Sequence, residues 1–227
     1  MIKAVTTIDS LDPARLRGLL LDAAGTLLTP TEPIATVYGR HARAFGGSRS
    51  ARQVATSFRE AMADPALRAA RLEEPSWHQF WREVVRRSTG VDDPALLDAL
   101  YQHYERPTAW RVAADAQACC EAARARGIQV AVVSNWDTRL RPLLEALEVT
   151  RWIDAAVISG EFGREKPDPK IFHHACQRLA IAPARALHIG DSQRADVEGA
   201  RAAGCHALRF GVDVGSFSEL ARRLGLA

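Results

Sequence analysis

The feature that most constrains this chain is a change of texture near Trp110. Beyond it, short apolar runs alternate with amphipathic helical stretches to the end of the sequence. Ile128 to Val133 reads as a buried strand, with helical patterns near 115–126 and 138–148 on either side. Further strands are expected at 154–158, 186–189 and 205–210, separated by helices near 169–180 and 193–203, with a short helix closing the chain. Runs of this length, apolar throughout and joined by helices, predict a parallel sheet covered on both faces.

One strand of the same kind stands apart from the rest. Residues 17–22, Arg-Gly-Leu-Leu-Leu-Asp, form a short apolar run ending in an acid, and Ala23-Ala24-Gly25-Thr26 then reads as a tight turn. From about 31 to 107 no strand-like run occurs; helical patterns fall near 34–46, 50–63, 76–88 and 93–105, punctuated by Pro65, Pro75, Pro94 and Pro107. Trp77, Phe80, Trp81, Val84 and Val85 make an i, i+3, i+4, i+7, i+8 stripe, the pattern of a helix–helix core. The expected architecture is a doubly wound parallel α/β sheet, Rossmann-like, with an all-helical cap inserted after its first strand. The core is read as 1–30 and 108–227 and the cap as 31–107.

Composition narrows the function classes. Of the 227 residues 47% are hydrophobic and 25% charged, with a net charge of +3 spread among interleaved acids and arginines. No basic tract points to nucleic acid, and no segment approaches the ~20 apolar residues of a membrane span. Met1 to Pro13 lacks the apolar stretch of a signal peptide. Cys119, Cys120, Cys176 and Cys205 form no C-x-x-C pair and read as small buried thiols. The expectation is a cytoplasmic protein with a small-molecule substrate and neither nucleic acid nor membrane as partner; monomer and dimer both stay open.

In an open parallel sheet, ligands bind where the loops at the strand C-termini gather. The polar residues at those ends are Asp22, Ser134-Asn135 and Gly190-Asp191, with the turn-rich segment Gly163 to Pro169 between the last two. Four motifs in this order carry a family resemblance: Leu-Leu-Leu-Asp22-Ala-Ala-Gly-Thr26, Val-Val-Ser134-Asn135, Lys166-Pro-Asp-Pro, and His-Ile-Gly190-Asp191-Ser-Gln-Arg-Ala-Asp196. From about Gly18 to Gly204 the chain resembles the haloacid dehalogenase-like superfamily, in the group with a small helical cap.

The resemblance implies a Mg2+-dependent hydrolase whose nucleophile is Asp22, with an aspartyl-phosphate as intermediate and a small phosphorylated metabolite as substrate. Asp22, the backbone carbonyl of Ala24, Asp191 and, more remotely, Asp196 would hold the cation through hard oxygen ligands. Lys166 would neutralise Asp22 and a phosphoryl oxygen, and Ser134 would hold the phosphate as the third catalytic residue. Thr26 and Asn135 are the candidate substrate-binding positions, Thr26 also buttressing the first loop. Each has a bland alternative: Asp22 as a turn former, Lys166 as a surface lysine, Ser192 as a helix cap, Asp196 as a first-turn acid.

One departure leaves the activity open. Most phosphatases of the superfamily carry a second Asp two residues after the nucleophile. Here that position is Ala24, and several members with Ser-Asn-x-Asp-x-Arg after the second strand, in this chain Ser134-Asn135-Trp136-Asp137-Thr138-Arg139, also lack that Asp. A phosphonoacetaldehyde hydrolase-like site, which also has Ala there, needs a cap lysine, yet the lysines are Lys3, Lys166 and Lys170. A 2-haloacid dehalogenase-type site attacks carbon and needs no leaving-group acid, but lacks the Gly-Asp found here as Gly190-Asp191. A catalytically weakened or ligand-binding protein is the third possibility. Asp137, Tyr38, His41 and His78 are substitute acids, each with a competing structural role, and His173-His174 lack partners for a zinc site.

Overall fold

The computed structural model describes residues 12–70 and 76–226, so the readings at residues 1–11 and at Pro75 lie outside the described residues. The chain divides into two compact units, Met1–Thr29 with Val112–Ala227, and Pro30–Arg111.

The first unit holds a five-stranded sheet of β1 (Gly18–Leu21), β4 (Gln129–Ser134), β5 (Ala155–Ile158), β6 (Ala186–Gly190) and β7 (His206–Arg209), in the order β5-β4-β1-β6-β7. Every pairing is parallel. Two three-residue strands, β2 (Leu28–Pro30) and β3 (Trp110–Val112), pair separately. The chain builds outward from β1 to β4 and β5, then crosses back to β6 and β7. The order therefore reverses beside β1, which is the switch point where α/β sheets bind ligands.

β1 is central, and central strands of a covered parallel sheet lose both faces to the interior. Leu19, Leu20 and Leu21 are accordingly buried, as are Val130 to Val133 of β4. Leu20, Ala131 and Val133 pack with Ile171, Phe172 and Ala175 of α9 (Pro169–Arg178) and with Val197 and Ala200. α6 (Ala116–Ala125) lies against β4 and against α11 (Phe217–Arg223). α7 (Leu140–Ala146) and α8 (Ser159–Phe162) follow β4 and β5. Asp168 caps α9 by accepting from the Lys170 N–H, and Pro169 opens the helix where no N–H is needed.

The expected helix at 193–203 takes a different form. Gln193–Glu198 is π-helical and α10 (Gly199–Ala202) completes it. The Val197 N–H donates to the Ser192 carbonyl at 3.2 Å, the i to i−5 bond of a π turn. Such wide turns concentrate at functional sites, and this one carries Asp196.

The second unit consists of α1 (Ile34–Arg43), α2 (Ala51–Ala63), α3 (Pro65–Ala70), α4 (Ser76–Thr89) and α5 (Pro94–Glu105). The α4 stripe does form helix–helix core: Phe80, Val84 and Val85 are buried, and Trp77 and Trp81 pack beside them. Tyr38 is buried with its ring edge-on to Phe58 at 5.4 Å, while His41 meets His103 at 5.5 Å and His78 meets Tyr101 at 5.7 Å. All four cysteines are buried free thiols. Among the described residues no helix is long and apolar enough to cross a membrane.

Leu20→Ala removes a side chain enclosed on every side, so it is expected to cost ~2–5 kcal/mol, read as a lowered urea midpoint.

Candidate active site

Strand register sets the site. Leu21 stands level with Val132 on one side and Ile189 on the other, and the Asp22 N–H donates to the Ile189 carbonyl at 2.9 Å. Asp22 therefore leaves the sheet between the C-terminal ends of β4 and β6. The following turn is tight: the N–H groups of Leu27 and Leu28 both donate to the Ala23 carbonyl, at 3.0 and 2.7 Å. Gly25, at φ +82°, has to lack a side chain, because a Cβ would run into the Asp191 carboxylate.

Lys166 organises the centre. Its Nζ donates to Asp22 Oδ1 and to Asp196 Oδ1, both at 2.6 Å, and all three side chains are buried. The backbone of Lys166 is clamped by Asn135, whose Nδ2 donates to the Lys166 carbonyl at 2.8 Å and whose Oδ1 accepts from its N–H at 2.7 Å. Asp196 Oδ1 also lies 2.8 Å from His188 Nε2, and its Oδ2 accepts from the Ser192 N–H at 2.9 Å. Gly190 allows this approach, since a Cβ there would collide with the Asp196 carboxylate.

The electrostatics follow from burial. Loss of solvent raises the Asp22 carboxyl to about 7; Asp196 and Asp191 push the same way, against the lowering influence of Lys166. Burial also opposes the charge on Asp196 and on Lys166, but there the partners win. Lys166 and His188 hold Asp196 below the usual carboxylate range, and the two carboxylates hold Lys166 above its ordinary value. Asp191, more exposed, is raised by partial burial and then by Asp196. Burial lowers His188, leaving a neutral ring that donates its Nε2–H to Asp196.

Asp22, Asp191 and Asp196 each offer an oxygen within 4.8 Å of the others. Lys166 bonds two of these carboxylates, and the third, Asp191, is exposed and also feels Arg209, so the trio carries more negative charge than its one buried ammonium offsets when all three are ionised. A hard divalent cation suits both that charge and an all-oxygen donor set. The hydroxyls of Ser134 and Thr26 are shut off from solvent and have no hydrogen-bond partner among the described residues. They are buried donors left without an acceptor, an arrangement that native interiors rarely leave unexplained.

The sequence-predicted residues thus fall into groups. Asp22, Lys166, Asp191 and Asp196 come together, with Ser134 ending β4 beside them. The Asn135 side chain is occupied with Lys166. Ala24 is exposed and adds no carboxylate. Asp137 is committed elsewhere: Oδ1 accepts from the Arg139 N–H at 3.1 Å and Nε at 2.9 Å, and Oδ2 from Nη2 at 2.6 Å. Ser192 does cap the following turn, accepting from the Ala195 N–H at 3.1 Å. Tyr38, His41 and His78 belong to the helical unit. His173 Nε2 lies 3.0 Å from the Ala203 carbonyl and His174 stacks on Phe162. Sequence reasoning assigned no role to His188; its one signal is an ionisable residue inside the apolar run Ala186 to Ile189.

The helical unit has a cavity of about 840 Å³ lined by Arg49, Ser57, Glu60, Asp64, Arg86 and Arg87 among others. Its arginines are already paired: Arg86 with Glu83 and Arg87 with Asp64 at 2.6 Å, and Arg49 with the Ser88 carbonyl at 3.1 Å.

A doubly wound parallel sheet with a carboxylate–ammonium cluster at its switch point defines the class of protein. Residues 16–204 match the haloacid dehalogenase-like hydrolase family, to which this chain belongs. It is 34% identical over 209 residues, 86% of this chain and 81% of the relative, to haloacid dehalogenase-like hydrolase domain-containing protein 3 of Bos taurus. A phosphoserine phosphatase of Thermus thermophilus is 32% identical over 148 residues, 63% of this chain and 58% of that one. A solved dehalogenase with an intermediate complex superposes with a TM-score of 0.71 at 24% identity, covering 92% of this chain and 96% of that one, a likeness of fold.

A carboxyl whose folded value lies above its unfolded one keeps its proton longer in the folded state. Its contribution is intact below about pH 4, declines as pH rises through about 7, and stays lost above that. Asp22→Asn is therefore expected to melt above the metal-free wild type, with the gap in Tm widening by roughly 2 °C or more between pH 5 and pH 8. Thermal scans of both proteins at the two pH values check this.

Proposed function

We propose that this chain is a Mg2+-dependent phosphohydrolase acting on a small phosphorylated metabolite, with Asp22 as the nucleophile. The observation that carries the reading is the trio Asp22, Asp191 and Asp196, each with an oxygen within 4.8 Å of the others and two of them bonded to the buried Lys166 ammonium. The hydroxyls of Ser134, at the end of β4, and Thr26, in the loop after β1, have no partner among the described residues and support the same reading, as does the likeness to a phosphoserine phosphatase.

A divalent cation, held by Asp22, Asp191, the Ala24 carbonyl and Asp196, would cancel the repulsion between a carboxylate nucleophile and a phosphate dianion. The remaining work belongs to the chain's own residues. Lys166 orients Asp22 through its 2.6 Å bond and adds positive charge next to the phosphoryl group. Ser134 and Thr26 donate their hydroxyls to phosphoryl oxygens, together with backbone N–H groups near Asn135. Asp196, fixed by His188 and Ser192, keeps the Lys166 ammonium in place. In-line attack by Asp22 on phosphorus then yields an aspartyl-phosphate, which water hydrolyses. We assign substrate selection to the inserted helical unit, acting as a cap.

Turnover of p-nitrophenyl phosphate is expected to require Mg2+, to stop with EDTA, and to fall by ~10³-fold or more in Asp22→Asn. Lys166→Met is expected to lower kcat by ~10²-fold or more through loss of charge stabilisation. Halide release from 2-chloropropionate that ignores EDTA would instead point to attack on carbon.

A further inference from the structure

Breaking a P–O bond leaves an electron pair on the departing oxygen. A side-chain acid that protonates this oxygen is worth ~10²–10⁴ in rate, and matters most when the leaving group is strongly basic. The acids around Asp22 decide which leaving groups the site can expel.

Among the described residues of the sheet unit, the strand-end carboxylates are already engaged; Asp191, the exposed first residue after β6, is the one assigned above to the cation. After β4, Asp137 is held at both oxygens by Arg139. After β5, Glu161 is bound by the Arg141 guanidinium at 2.6 and 2.8 Å. After β6, Asp196 accepts from Lys166, His188 and the Ser192 N–H. After β7, Asp213 accepts from the Arg209 N–H at 2.7 Å. His188 is fully buried behind Asp196, and Lys166 spends its protons on Asp22 and Asp196. The partnerless hydroxyls of Ser134 and Thr26 are donors of hydrogen bonds, far too weak as acids to give up a proton. On the loop that carries Asp22 itself, position 24 is an exposed methyl group.

We propose that Ala24 restricts the Asp22 site to phosphorylated compounds whose leaving group departs as an anion unaided: acyl phosphates, and enol or aryl phosphates, rather than alkyl phosphomonoesters. This rests on the phosphohydrolase reading above. A carboxylate oxygen of Asp22 bonds to phosphorus while the bond to the leaving oxygen breaks. The electron pair leaves with the carboxylate, enolate or phenolate, and no proton moves. Water next attacks phosphorus, the Asp22–phosphorus link breaks with its electrons returning to the carboxylate, and the proton from water passes to phosphate or solvent. With no uncommitted side-chain base among the described residues of the sheet unit to activate that water, the second step is slow and the phosphorylated enzyme accumulates.

The test compares acetyl, p-nitrophenyl, phenyl and glycerol phosphates as substrates at saturating Mg2+, for the wild type and Ala24→Asp. Mass analysis of the acid-quenched Asp22 peptide accompanies the rates. For the wild type, kcat/KM should fall by ~10²-fold or more from p-nitrophenyl to glycerol phosphate. That ratio should shrink by ~10-fold or more in Ala24→Asp, and the quenched wild type should carry a phosphoryl group on Asp22. Wild-type turnover of glycerol phosphate within ~10-fold of p-nitrophenyl phosphate overturns the proposal, as does a ratio that Ala24→Asp leaves unchanged. Absence of both turnover and phosphoryl-Asp22 with acetyl or p-nitrophenyl phosphate is a different outcome: it removes the phosphohydrolase reading itself.

Discussion

The structure of the site depends on one ammonium group. Lys166 reaches Asp22 and Asp196 at 2.6 Å inside a pocket with almost no solvent, where neither carboxylate would carry its charge alone. Removing the ammonium would be costly, because it would leave two buried carboxylates facing each other with no opposite charge between them. The surrounding chain is arranged to hold this cluster. Asn135 fixes the lysine backbone, His188 and the Ser192 N–H fix the second acid, and Gly190 and Gly25 leave room for carboxylates to approach the backbone.

The two acids that share the lysine are not equivalent. Asp196 takes three donors and stays ionised, while Asp22 takes one of the lysine's bonds and is raised to about 7. Lone pairs on Asp22 thus stay uncommitted, and its charge is the more poorly compensated of the two. An atom in that condition is suited to bonding an electrophile or a cation. The same fold that over-satisfies one carboxylate leaves its neighbour in need of a partner, and the partnerless hydroxyls of Ser134 and Thr26 add to the deficit.

Much of this was legible in the sequence. Leu19 to Leu21, Val130 to Val133 and, His188 apart, Ala186 to Ile189 are apolar without alternation, as a strand buried on both faces requires, and the acids or amides that follow them mark one edge. The motif around Lys166 placed that residue at the centre. What escaped depends on pairing in space. β2 and β3 are three residues each and exist only because segments some eighty positions apart in the chain meet, so no local period announces them. The π turn at Gln193–Glu198 has the composition of an ordinary helix; the pull of Lys166 and His188 on Asp196 is a tertiary effect. Asn135 was singled out for the backbone N–H groups around it; that its side-chain amide serves the lysine is a contact thirty-one residues away that no local pattern announces. His188 was one polar letter in an apolar word, and its meaning came only with the acid eight residues later.

The two hydrogen bonds between Asn135 and the backbone of Lys166 couple distant parts of the chain mechanically. The residue after the tip of β4 and the loop leading into α9 are thereby pinned to each other, so the ammonium of Lys166 takes its place from a strand more than thirty residues earlier in the chain. A substitution at Asn135 would loosen the backbone that aims the lysine without touching either of the acids it bridges.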